Sequence, residues 1–165
     1  MDINEYNGLM KERLQQLIDF AESDDIKDIA GVEAVNHYKS SFDNEGFTDQ
    51  RLEKWDDVVR RDQDSDWYGH SGQTGKFSQA RTQAKILSGE TGELADGISY
   101  AHTDRGVRIT SSTLYGRVHQ FGMQAKIYGK KAFQMIARPF MGRSEVMITN
   151  IKDKIKREFN KILTK

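Results

Sequence analysis

Apolar side chains recur at helical spacing in three stretches of the chain. Leu9, Leu14, Leu17, Ile18 and Ala21, with Lys and Glu between them, predict a helix over residues 5–22. Ile26, Ile29, Ala30, Ala34, Val35, Tyr38 and Phe42 predict a second over 24–41, with Ser23 as its N-cap. Val146, Ile148, Ile151, Ile155, Phe159 and Ile162 predict a third over 144–163, with lysines toward the end where the macrodipole favours them. Between these the period changes. Ile98–Tyr100 and Val107–Thr110 alternate as strands around a turn at 103–106. Residues 114–121 read as a short helix stopped by Gly122, and 133–136 as a third strand. Thr91 opens a short helical turn that contains Leu94. Residues 43–83 show little periodicity and read as a long surface segment pinned by Trp55 and Trp67; residues 123–131 read as a basic loop.

This order of elements predicts an α+β fold. A small antiparallel sheet packs with helices, preceded by an N-terminal helix pair and followed by a long C-terminal helix. At 165 residues the chain fits a single domain, divided into the helix pair at 1–42, the loop region at 43–85, and sheet plus helix at 86–165.

Composition narrows the class. The chain is 36% hydrophobic and 30% charged, as expected of a soluble protein. No apolar run approaches the ~20 residues of a membrane span, so no membrane partner is expected. The first residues, MDINEYNGLMKERLQQ, lack the apolar core of a secretory signal. The absence of cysteine excludes disulfides and thiolate metal sites, and fits synthesis in a reducing cytoplasm.

A net charge of zero conceals an asymmetry. Residues 1–66 hold 18 acidic and 8 basic side chains, a balance of −10; residues 67–165 hold the remaining 7 and 17, a balance of +10. Such a dipole steers copies or unlike partners into head-to-tail contact.

Motifs for chemistry fail on inspection. Gly75-Lys76 would need Gly at 70 and Ser or Thr at 77 to form a phosphate loop, and the chain has His70 and Phe77. Asp62, Asp64 and Asp66 alternate like calcium ligands, but Trp67 stands where the loop needs glycine and Gln73 where it needs Glu. His37, His70, His102 and His119 have no metal-ligand spacing. His119 has no carboxylate or nucleophile near it in sequence and reads as a packed histidine. The helix pair is too acidic for a DNA reader. No catalytic, cofactor or metal residue is therefore expected, and the chain reads as non-enzymatic.

Four patches remain: FDNEGFTDQRLEKW at 42–55, ILSGETGELADGI at 86–98, YGRVHQFG at 115–122 and ARPFMG at 137–142. Each joins an apolar anchor to glycine or proline. In this order they resemble the phage virion-morphogenesis family, the tail-completion proteins of Mu-like tailed phages. The resemblance rests on Phe42, Gly46 and Trp55; Leu87, Thr91, Gly92 and Leu94; Tyr115, Gly116, His119, Gln120 and Gly122; and Ala137, Arg138, Pro139, Phe140, Met141 and Gly142. It runs from about residue 35 to the end. Gly116 departs from it, standing where alanine is usual, and so does Ile136, standing where proline is common. It implies a structural virion protein that completes or terminates the tail and joins it to the neck. A head-completion or connector protein and a DNA-contacting assembly factor are the alternatives. The resemblance further implies a homo-oligomeric ring, often hexameric, touching neck, tail-tube or connector proteins. Phage DNA passes nearby without specific binding. The site is virion tail or neck, after synthesis in the bacterial host cytoplasm. The structural or interface candidates are Trp55, Leu94, Tyr115, His119, Gly122, Arg138, Pro139, Phe140 and Met141. Arg138-Pro139 fixes an extended approach to the last helix, because the residue before proline avoids the α region. Phe140 and Met141 then fall at a bend, suited to core or interface.

Overall fold

A computed structural model describes residues 2–71, 74–89, 91–126 and 132–164. Helix α1 spans Ile3–Glu22. It begins at a capping box: Asp2 accepts from the Asn4 and Glu5 amides at 2.7 and 2.8 Å, and Glu5 accepts from the Asp2 amide. Helix α2 spans Asp25–Asn44, three residues past the expected end at 41. Ser23 sits at the joint, donating to the Phe20 carbonyl and accepting from the Asp25 amide at 3.2 Å, while Asp24 occupies the cap position itself.

Residues 43–83, expected to be one long loop, contain regular pieces. Strands β1 (Gly46–Thr48) and β2 (Leu52–Lys54) pair antiparallel, a 3-10 turn covers Val59–Arg61, and α3 covers Gln79–Gln83. Trp55 is buried and pins this region. Trp67 does not, since it is exposed and meets only the His70 ring among the aromatic contacts of the described residues. The short helix α4 (Glu93–Asp96) follows, and then β3 (Ile98–Thr103) pairs with β4 (Gly106–Ser111). Helix α5 covers Gly116–Phe121 and ends at Gly122, in the left-handed region at φ 62°. Strands β5 (Gln124–Lys126) and β6 (Ala132–Gln134) pair antiparallel, so the start of the expected basic loop is a strand. The rest of that loop, 127–131, lies outside the described residues, as do Gln73 and Glu90. Helix α6 (Glu145–Thr164) closes the chain.

The fold is α+β, but its strands do not join in one sheet. Among the described residues they form three separate antiparallel pairs, β1–β2, β3–β4 and β5–β6. The expected third strand thus forms away from the β3–β4 pair. The helix that crosses β3–β4 is α2, itself a member of the N-terminal pair. The approach is close because of Gly31, where a methyl group would fall 2.3 Å from the Tyr100 ring. Helix α6 packs on α2 and α1, and the Phe20 and Phe159 rings meet edge to face at 5.1 Å. Its N-terminus is held by the β1–β2 turn: Asp49 accepts from the Glu145 amide at 2.8 Å through its side chain, and buried Ser144 caps the Met147 amide at 3.1 Å. The core is Ala34, Tyr38 and Phe42 of α2 with Trp55, Ile86, Leu94, Ile98 and Phe140.

Candidate functional site

Residues 137–142 run without regular structure through this core, so their peptide groups lack partners from a helix or ladder. Side chains from distant segments supply them. Trp55 donates from Nε1 to the Pro139 carbonyl at 2.8 Å. Ser41 donates to the Phe140 carbonyl at 3.3 Å, and Tyr38 to the Gly142 carbonyl at 2.8 Å. Gln120 contributes most: its Oε1 accepts from the Phe140 and Met141 amides at 3.0 and 3.1 Å, and its Nε2 donates to the Met141 carbonyl at 2.7 Å. The Arg138 amide donates to the His119 carbonyl at 2.7 Å.

In this strap, residues 137–142, Arg138 and Phe140 turn inward and Met141 partly so, while Ala137 and Pro139 stay exposed. Phe140 is 2% exposed and packs on the Phe42 ring at 5.2 Å, a burial worth about 1.5–3 kcal/mol. Arg138 is buried, and its guanidinium donates to the Asp56 and Asp57 carbonyls at 3.1 and 3.3 Å. Burial draws the Arg138 pKa down, opposed by the charges of Asp56 and Asp57. Met141 is half-buried against the core.

The other expected residues gather around this strap. Leu94 is buried against Gly116, where a methyl group would lie 3.3 Å from its side chain and 3.0 Å from Thr113 Oγ1. At Gly122 the backbone is left-handed, and a methyl group would fall 2.8 Å from the Ala137 nitrogen, so only glycine fits. Tyr115 is exposed, with its hydroxyl 3.3 Å from Glu93 Oε2 and its ring edge-on to His119. The His119 Nδ1 is buried without a hydrogen-bond partner among the described residues. Burial, and then the charge of Arg138, lower its pKa, so the ring is held neutral. The Trp55, Tyr115–Gly122 and Ala137–Gly142 patches are therefore parts of one packed unit.

Sequence reasoning missed the polar half of this unit. Gln120, Tyr38 and Ser41 were not singled out as ties. It also missed Glu45, whose carboxylate accepts from Arg61 and from the Ile86 amide and anchors the β2–α3 region to the end of α2. The signal for Gln120 was its place one helical turn after Gly116, on the side of α5 that the glycine brings close to its neighbours.

Beside the strap lies an open groove of about 590 Å³. Ile109, Phe121, Phe140 and Met141 make it apolar, and Arg117 and Gln120 also line it. Phe121, which lines it, faces solvent, as do Leu114 and Met123 just before and after α5 and Ile136 just before the strap. Met123 and Met135 are tied through a main-chain bond at 3.2 Å, which joins the end of α5 to the end of β6.

A family model described as the phage virion morphogenesis family matches residues 56–160. The chain belongs to that family. The match holds three of the four patches, and with them α5, the strap and most of α6. Trp55, α1 and α2 precede it. No curated protein and no solved structure matches the chain. Membership in the phage virion morphogenesis family makes this a virion-assembly protein of a phage. Among its described residues no helix is long and apolar enough to cross a membrane.

Proposed function

We propose that this member of the phage virion morphogenesis family completes or terminates the tail and joins it to the neck, as a homo-oligomeric ring around the DNA path. The observation that carries the reading is the set of large apolar side chains left in solvent on and beside α5, with Leu114 at 95% and Phe121 at 66% exposure. Concentrated apolar surface of this kind marks protein contact. The motif residues are spent holding the strap, which suits a scaffold better than a reaction centre, so the proposed role is non-enzymatic. Its partners are further copies and the neck, tail-tube or connector proteins, and its place is the tail or neck of the particle. DNA contact stays weak, in the non-specific range of ~10⁻⁴–10⁻⁶ M, because a lumen must let DNA slide.

The test is electron microscopy of particles assembled without the chain. Full heads and separate tails, unjoined, are the expected result. Joined, infectious particles would overturn the reading, and heads that lose their DNA would point instead to head completion. Nanomolar, sequence-selective binding of duplex DNA would favour a DNA-contacting assembly factor.

A further inference from the structure

Helix α1 carries more apolar surface than the fold covers. Its inward side, Leu9, Arg13, Leu17 and Phe20, is half-buried, and α1 packs on α6 and α2. Ile3, Leu14 and Ile18 continue the apolar arc but are 75%, 54% and 48% exposed. They stand three turns and then one turn apart, so they form one line along the helix. One turn after Ile18, on the same side, α1 exposes Glu22, and one turn before Leu14 it exposes Lys11.

The groove next to the strap has the opposite character. It is apolar inside, no carboxylate is among the residues that line it, and Arg117 lines it. The Arg117 side chain has neither an ion pair nor a hydrogen bond among the described residues. No residue of α1 lines the groove. One surface is thus apolar with the Glu22 carboxylate at its end, the other apolar with the Arg117 guanidinium on its wall, and they lie on different elements of the same chain.

We propose that α1 of one copy docks into the α5–β4 groove of the next, with Leu14 and Ile18 as its anchors and Glu22 toward Arg117. A groove of this size takes the side chains of a turn or two, not a whole helix. Such a contact joins two unlike patches, so each copy keeps one of each free, and repetition closes a ring. The contact rests on the ring reading and gives it an interface.

The test uses the full chain in two variants. L14E/I18E spoils the helix side, and F121E spoils the groove side; all three residues are solvent-exposed, so the fold is expected to survive. Circular dichroism matching wild type checks this, and L14S/I18S is the milder substitute if the first variant does not fold. In sedimentation velocity the wild type is expected to assemble, and each variant alone to be a monomer. The mixture of the two is expected to give a 1:1 dimer and nothing larger, since one intact helix and one intact groove remain between them. A mixture that stays monomeric, or a variant that assembles as wild type does, overturns the contact. If the wild type still assembles in that case, the ring reading stands without this interface. A wild type that never associates, in solution or by cross-linking in particles, overturns both.

Discussion

Replacing Gln120 with alanine isolates what the strap's ties are worth. The substitution removes two acceptor contacts, to the Phe140 and Met141 amides, and one donor contact, to the Met141 carbonyl. At about 0.5–1.5 kcal/mol net for each bond, the sum is about 1.5–4.5 kcal/mol. Two opposing effects narrow it. Peptide groups left bare in a core cost more than the net value of a bond, up to about 3 kcal/mol each. The neighbouring groove, however, admits water to part of the vacated space, and water recovers some of that cost. We expect a loss of about 2–4 kcal/mol. With a urea slope of about 2 kcal/mol/M, the unfolding midpoint drops by about 1–2 M. Arg117→Ala on the same helix is the control, and its exposed side chain should change stability by no more than about 0.5 kcal/mol. If Gln120→Ala behaves like Arg117→Ala, the strap is held by apolar packing, and the reasoning about its peptide groups is wrong.

Phe140→Ala should cost about 3–5 kcal/mol in the same assay, because the vacated space lies between Phe42 and the rest of the core. Gly122→Ala should cost about 2–4 kcal/mol through left-handed strain and the contact with Ala137, whereas Gly8→Ala, in open space on α1, should gain about 0.5–1 kcal/mol. Two titrations should separate by pH. The His119 pKa is lowered in the folded state, so its contribution is full above the ordinary value of about 6.5 and fades as pH falls below it; His119→Gln should flatten that limb. The Arg61 hydrogen bond lowers the Glu45 pKa, so its contribution is full above about 4.3 and is lost as pH falls through the folded value; Glu45→Gln should flatten only this lower limb. Association of copies should weaken between 0.1 and 1 M salt, as the Debye length falls from ~10 to ~3 Å; sedimentation that does not change with salt would assign the interface to apolar contact alone.

The long helices were legible because each spans 20 residues, enough turns for a 3.6-residue period to stand out. The β3–β4 pair was legible from alternation on both sides of a turn ending in Gly106. The strands β1 and β2 were not, since three residues are too few to display a period and Leu52–Lys54 is exposed throughout. Whether β5–β6 would extend β3–β4 depends on edges meeting in space, which local pattern does not encode. At the site, glycine, proline and apolar anchors announced themselves through backbone and burial rules. Gln120 did not, because a glutamine on a short helix looks the same whether it faces water or a stranded peptide group.

The ties on the strap also bear on how the chain comes off the ribosome. Tyr38, Ser41 and Trp55 reach partners 104, 99 and 84 residues further along. Until residues 137–142 have emerged, Phe42 and Trp55 have no Phe140 to pack on and no Pro139 carbonyl to bond. Closure of the core therefore waits for most of the chain to be made, and long-range closure of this kind is slow. Newly made copies pass through a stage with aromatic surface bare in a crowded cell, where it invites aggregation. Exposure to aggregation during synthesis is thus the expected cost of a fold that fastens its middle with its end.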